Sequence, residues 1–203
     1  MPWQNGMQQG KIITGHQGKN TLFVFFGLIA TGKSTLAQAW AESLDLPYFN
    51  SDRVRKQLAG LNEQTHRREG LDQGIYSSDF SRRTYTALLE RAATELQRGV
   101  SVVLDASYQA KEERQRVRDL AHRMACRVCF ILCTCPESEM KRRMAARGKD
   151  PAAVSDGRWG IYKEQKKRFE PPDELAEDEL ITINTQAPVD SLLTRLQDII
   201  AAR

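Results

Sequence analysis

The chain has 203 residues, of which 40% are hydrophobic and 28% charged, and its formal net charge is +4. That length suits one α/β domain with an insertion rather than two full domains, and the composition excludes disordered and fibrous classes. The small positive excess fits an anionic ligand but falls short of the charge footprint of a dedicated duplex-DNA binder.

In chain order, residues 1–18 are rich in Gln, Gly and Asn without periodicity and read as a flexible N-terminal tail. They lack the basic-then-apolar layout of a secretory leader, and no run is long enough to span a bilayer, so the expectation is a cytoplasmic protein with no membrane partner. Residues 19–203 read as one domain. Five apolar, β-rich runs punctuate it: TLFVFF (21–26), LPYFN (46–50), SVVLDA (101–106), VCFILCT (128–134) and LITINT (180–185). Amphipathic helical patterns lie between them. Tyr85, Leu88, Leu89, Ala92 and Leu96 share one face, as do Val117, Leu120, Ala121 and Met124; a last helix carries Val189, Leu192, Leu193, Leu196, Ile199 and Ile200. Strands alternating with such helices imply a parallel sheet covered on both faces, with ligands beyond the carboxyl ends of its strands. A highly charged segment, about 136–172, reads as a lid. The four cysteines, Cys126, Cys129, Cys133 and Cys135, fall on one strand pattern that cannot aim all four thiolates at one metal, and read as buried small hydrophobes. His16, His66 and His122 show no ligand spacing.

The stretch GLIATGKST follows the first strand and opens a helix. Gly27 and Gly32 permit turns closed to other residues, so the backbone N–H groups of Gly27, Leu28, Ile29, Ala30, Thr31, Gly32, Lys33, Ser34 and Thr35 can surround phosphates at a helix N-terminus. Lys33 supplies a mobile positive charge for the β and γ oxygens, and the Ser34 hydroxyl can complete the coordination of Mg2+. This pattern points to binding of ATP or GTP with Mg2+.

Motors, switches and kinases all use such a loop, and the rest of the chain separates them. A hydrolytic ATPase usually places a second carboxylate beside its metal-side acid, yet Asp105 is followed by Ala106. A GTPase switch is expected to carry an Asn-Lys-x-Asp guanine reader, which the chain lacks. A kinase needs a base near the acceptor hydroxyl, cations to hold the acceptor, and a closing lid that brings arginines to the phosphoryl group. Just past the second strand, Asp52 is the candidate base and Arg55, one turn on, the candidate acceptor-binding cation, although Asp52 or Ser51 could simply cap that helix. Asp105 could serve the metal, anchor the acceptor, or cap the helix that follows. In the lid, Arg143 and Arg147 lie four apart on one helical face that could reach the phosphates, or could be a solvated basic face. Trp159, Tyr162 and Phe169 read as lid packing.

Together GLIATGKST, SDRVRK, VVLDAS and MKRRMAARG resemble the P-loop kinases of the polynucleotide kinase and zeta toxin type, over about residues 20–203. Similar YSSDFSRRTY and GVSVVLDASY stretches occur in bacterial ATP-binding domains fused behind aminoglycoside phosphotransferase-like domains. The resemblance implies a P-loop three-layer α/β sandwich whose five parallel strands run in the order 2-3-1-4-5, with a helical lid. It also implies ATP-dependent transfer of the γ-phosphoryl group to a hydroxyl. By motif, Asp52 matches the general base, Arg55 the acceptor-binding arginine, and Arg143 with Arg147 the lid pair on the phosphates. The acceptor is left open between a small molecule and a nucleic-acid 5′ end, because the segment GLNEQTHRREGLDQGIYSSDFSRRTY matches no known substrate reader. An ATP-binding regulatory module or an ATPase without an acceptor is the alternative, and oligomeric state is not legible.

Overall fold

The computed structural model describes residues 20–61, 77–146 and 151–203, with the side chains of 151–158 set aside. Strands β1 (Thr21–Phe26), β2 (Tyr48–Asn50), β3 (Val102–Asp105), β4 (Arg127–Thr134) and β5 (Leu180–Asn184) alternate with helices. In chain order these are α1 (Lys33–Ser43), α2 (Ser51–Leu58), α3 (Ser78–Gln97), α4 (Lys111–Arg123), α5 (Glu137–Ala146), α6 (Pro151–Arg168) and α7 (Val189–Ala201). The sheet is parallel at every pairing and runs β2-β3-β1-β4-β5, the order that the resemblance implied.

Side-chain alternation along the strands builds two cores. Leu22, Val24 and Phe26 of β1 join Val102, Leu104 and Phe130 beneath α3 and α4, where Leu88, Ala92, Leu96, Val117 and Leu120 close the layer. Phe23 and Phe25 face the other way, with Val103, Ile131, Cys133 and Ile183, beneath Leu36, Ala37 and Trp40 of α1 and Leu192 and Leu196 of α7. Both faces of the central strands β1 and β3 are therefore dry, which is why these strands read as continuous apolar runs, while the edge strand β5 exposes Thr182 and Asn184. Cys129 and Cys133 sit inside the second core. Burial pushes the Cys129 thiol up to about 11 and the Cys133 thiol higher still, so both behave as small apolar side chains.

Register places the business edge. Asn50 of β2 pairs with Asp105 of β3, and Asp105 pairs with Phe25 of β1. These three residues form one row at the carboxyl edge of the sheet, spanning two strand spacings or about 10 Å. Helices α5 and α6 form an arm beyond β4, packed around Met140, Met144, Tyr162 and Ala30. Trp159 stacks on Tyr162 with ring centroids 4.5 Å apart, while Phe169 leaves the arm to stack on Phe26 in the first core.

Candidate active site

The loop from Gly27 to Gly32 begins where β1 ends and stops where α1 starts. Gly27 has φ +135°, and a Cβ there would lie 2.5 Å from the carbonyl oxygen of Cys133 on β4. Gly32, at φ +83°, caps α1, and a Cβ there would meet the Arg143 guanidinium at 2.8 Å. Close backbone approach thus demands glycine at both ends of the loop. Inside it, the Thr31 hydroxyl donates to the Leu28 carbonyl at 2.9 Å, and the Lys33 ammonium rests on that same carbonyl at 3.4 Å. Helix α1 has no side-chain cap and no acidic residue in its first turn. Among the described residues no side chain compensates its N-terminal amides and dipole, as an anion site requires. Ser34 and Thr35 are exposed there.

Beside this cradle, Asp105 is fully buried at the end of β3. Its Oδ2 accepts two hydrogen bonds, from the Tyr48 hydroxyl at 2.7 Å and the Asn50 amide at 2.6 Å. Its Oδ1 is buried without any hydrogen-bond partner among the described residues. A carboxylate with one oxygen held and the other bare is a set of donors fitted to a cation or a hydrated cation. Burial, reinforced by the charge on Asp105, pushes the Tyr48 phenol well above its ordinary value, so it stays a donor. Asp105 plays no capping role, since α4 begins after Ala110.

Asp52 occupies the first turn of α2, exposed, with its Oδ1 accepting from Arg55 Nη1 at 3.0 Å. Arg55 itself is buried. The cap of α2 is neither Ser51 nor Asp52 but Asn50, whose side chain accepts from the Asp52 and Arg53 amides. Nearby on the β3–α4 connection, Ser107 hydrogen-bonds the Tyr85 hydroxyl at 2.9 Å, and its carbonyl receives the Gly27 amide at 3.3 Å. Ser107 therefore ties α3 to the first residue of the cradle.

On the opposite side, Arg143 is engaged by the protein. Its Nε donates to Glu139 at 2.7 Å, Nη1 to the Thr185 hydroxyl at 3.1 Å, and Nη2 to the Thr185 carbonyl at 2.6 Å. The Thr185 hydroxyl in turn donates to the Thr31 carbonyl of the loop. Arg143 is thus the outer clasp of the cradle, fastened through Thr185. Arg147 and residues 62–76, the core of the expected acceptor-lining segment, lie outside the described residues. Lys141 lies over the Trp159 ring at 4.4 Å, and Arg142 pairs with Glu139.

Four residues of the site escaped sequence reasoning. Asn50 carried a usable signal, a capping residue directly before a helical pattern, but nothing local announces its bond to Asp105. Tyr48 and Thr185 read only as strand residues. Gln165 of α6 accepts the Ile29 amide at 2.8 Å across 136 positions of sequence, a link that no local pattern encodes.

A model of the AAA domain family matches residues 22–172, well over half of the chain. The chain belongs to the AAA domain family. Uncharacterized proteins of Mycobacterium tuberculosis and Mycobacterium bovis are 32% identical over 117 residues, which is 58% of this chain and 24% of each relative. The match thus spans about a quarter of the length of those curated relatives. Among solved structures, a candidate kinase from Chloroflexus aurantiacus superposes with TM-score 0.67 at 20% identity, covering 92% of this chain and 99% of that one. A gluconokinase from Sinorhizobium meliloti gives TM-score 0.59 at 20% identity, covering 90% and 95%. The Mycobacterium tuberculosis APS kinase, solved with AMPPNP and APS, gives 0.56 at 19% identity, covering 90% and 97%. At these identities the likeness is one of fold, and the fold is that of the P-loop kinases. Among the described residues no helix is long and apolar enough to cross a membrane.

Proposed function

We propose that this chain is an ATP-dependent, Mg2+-requiring kinase that transfers the γ-phosphoryl group to a hydroxyl. The observation that carries the reading is the Asp105 carboxylate: one oxygen is anchored by two donors, the other is buried with no partner among the described residues, in the same row as the strand that opens into the glycine loop. A gluconokinase and an APS kinase share the fold, which favours a small-molecule acceptor over a nucleic-acid 5′ end.

The residues divide the work. The amides at the start of α1, from Gly32 to Thr35, and Lys33 hold the β- and γ-phosphates, and the uncapped start of α1 adds its dipole. Ser34 and Asp105 would hold Mg2+, which when bound neutralises developing charge on the phosphate oxygens. Asp52 accepts the proton of the acceptor hydroxyl as its oxygen bonds to the γ-phosphorus and the bond from that phosphorus to the β,γ-bridging oxygen breaks, releasing ADP. Arg55 steers Asp52 and the acceptor, and the arm excludes water, with Arg143 and Arg147 as its candidate pair for the phosphates.

The test is transfer of labelled γ-phosphate to a panel of sugars, nucleosides, aminoglycosides and 5′-hydroxyl oligonucleotides. Asp52→Asn should abolish transfer while leaving ATP affinity nearly intact, and Lys33→Ala should weaken both. Tight ATP binding with no transfer to any acceptor would favour a regulatory module instead, and rapid acceptor-independent hydrolysis an ATPase.

A further inference from the structure

We infer that Asn50 is a positioning residue that bolts the base-bearing helix α2 to the Asp105 carboxylate. This rests on the kinase reading and adds a residue which that reading does not itself require.

The chemistry of one amide group fixes the arrangement. The Asp52 and Arg53 backbone amides can only donate, and they meet the Asn50 side chain at 3.0 and 3.1 Å. The atom they meet must be the carbonyl Oδ1. The remaining Nδ2 then necessarily faces Asp105 Oδ2, at 2.6 Å. Neither end can be exchanged without setting donor against donor on one side and acceptor against acceptor on the other. A single side chain thereby satisfies the first turn of α2 and grips the acid at the end of β3.

The geometry needs such a tie. Strand β2 has only three residues and stands at the edge of the sheet, so its ladder with β3 alone is a short hold on the entry to α2. Asp52 and Arg55, the two groups assigned to the acceptor, both ride on α2. With Tyr48 as the second donor on Oδ2, the carboxylate of Asp105 cannot rotate without losing two bonds, and its bare Oδ1 keeps one direction. Asn50 converts two separate carboxylates, one for the proton and one on the metal side, into parts with a fixed mutual placement.

The test uses the full chain and four variants. Asn50→Ser keeps a helix-capping oxygen but is too short to reach Asp105, and Asn50→Asp keeps the cap but turns an acceptor toward Oδ2. Asn50→Ala loses both contacts, and Tyr48→Phe removes the other donor. Each is measured for thermal midpoint, for ATP affinity by calorimetry with Mg2+ and with EDTA, and for kcat and KM of transfer to the best acceptor of the panel. The Ser variant should nearly keep its midpoint, the Asp variant should melt lower because two carboxylates then face each other, and both should keep their ATP affinity in EDTA. Their Mg2+-dependent gain in ATP affinity and their kcat should fall by about 10- to 100-fold, Asp more than Ser, with KM for the acceptor little changed. Tyr48→Phe should move the same quantities in the same direction by less. If Asn50→Ser and Asn50→Asp match the wild type in Mg2+ gain and kcat, and only Asn50→Ala loses stability, Asn50 is a helix cap and the inference falls alone. A wild-type chain that shows neither Mg2+ gain nor transfer overturns the kinase reading and this inference with it.

Discussion

The two flanks of the phosphate cradle are built on opposite principles. On the β2–β3 side a buried carboxylate is held by neutral donors, the Tyr48 hydroxyl and the Asn50 amide, on strand residues that cannot shift independently. On the arm side, carboxylates are paired with long cationic chains: half-buried Glu139 with Arg142 and Arg143, and the more exposed Glu137 with Lys166 and Glu164 with Lys167. Buried polar networks keep one geometry because every alternative leaves a group unsatisfied. Surface ion pairs exchange partners at little cost. The first construction fixes the groups it holds, and the second leaves its side chains freer to rearrange.

The seam between the flanks is where the contrast breaks most severely. Arg114 is fully buried on α4, and its guanidinium donates to Glu174 and to the carbonyls of Tyr108, Gln109, Glu170 and Pro171. Arg114→Met should therefore cost about 3–5 kcal/mol, because Glu174 and four carbonyls lose their donor together; urea denaturation monitored by circular dichroism measures it. A loss below 1 kcal/mol would mean water replaces the guanidinium.

Next in size is Gly32→Ala, which forces an L-residue to φ +83° and drives a Cβ against the Arg143 clasp. ATP affinity should fall about tenfold or more, the equivalent of 1–2 kcal/mol of left-handed strain, in a calorimetric titration, with the far-ultraviolet spectrum unchanged.

A smaller effect should appear on the arm in acid. Hydrogen bonds from Arg142 and Arg143 hold the Glu139 carboxyl down at about 2, below its ordinary 4.5. A folded-state value lower than the unfolded one gives stability that is complete above the unfolded value and disappears as pH falls through the folded one. The stability difference between wild type and Glu139→Gln should therefore be constant above pH 5 and shrink toward zero as pH drops from about 4.5 to about 2. Thermal melts across that range check the sign. Smallest of all is Arg142→Ala, which removes one of the two arginines on Glu139 and should lower the midpoint less than Glu139→Gln does while leaving ATP affinity unchanged.

Legibility in the sequence follows the same division. The cradle is local: two glycines, a lysine and a serine at fixed spacing between an apolar run and an amphipathic helix carry their own explanation, and so do strands buried on both faces. Strand boundaries differed only at the ends, as at β2, where Leu46 and Pro47 precede the ladder. The parallel order came with the family resemblance, not with periodicity. What the sequence hid is long-range. Arg114 looks like any charged residue of KEERQRVRDL, and its burial is explained only by acceptors up to 60 positions away. Asp105 reads equally as a cap, a metal-side acid or an acceptor anchor until Tyr48 and Asn50 are seen on one of its oxygens.

The junction after α6 carries a mechanical consequence. Phe169 is stacked on Phe26, the Glu170 amide is bonded to the Gln109 carbonyl, and Arg114 grips the next turn, so the C-terminal end of α6 is an anchored root about which any tilt of the helix would turn. An eighteen-residue helix is a lever about 27 Å long, so a tilt of about 10° would carry its far end through about 5 Å. Gln165 lies only about 5 Å from the fulcrum and would travel less than about 1 Å. Its bond to the Ile29 amide would hold through such a swing, letting the tip sweep wide while the root of the lever stays seated on the loop.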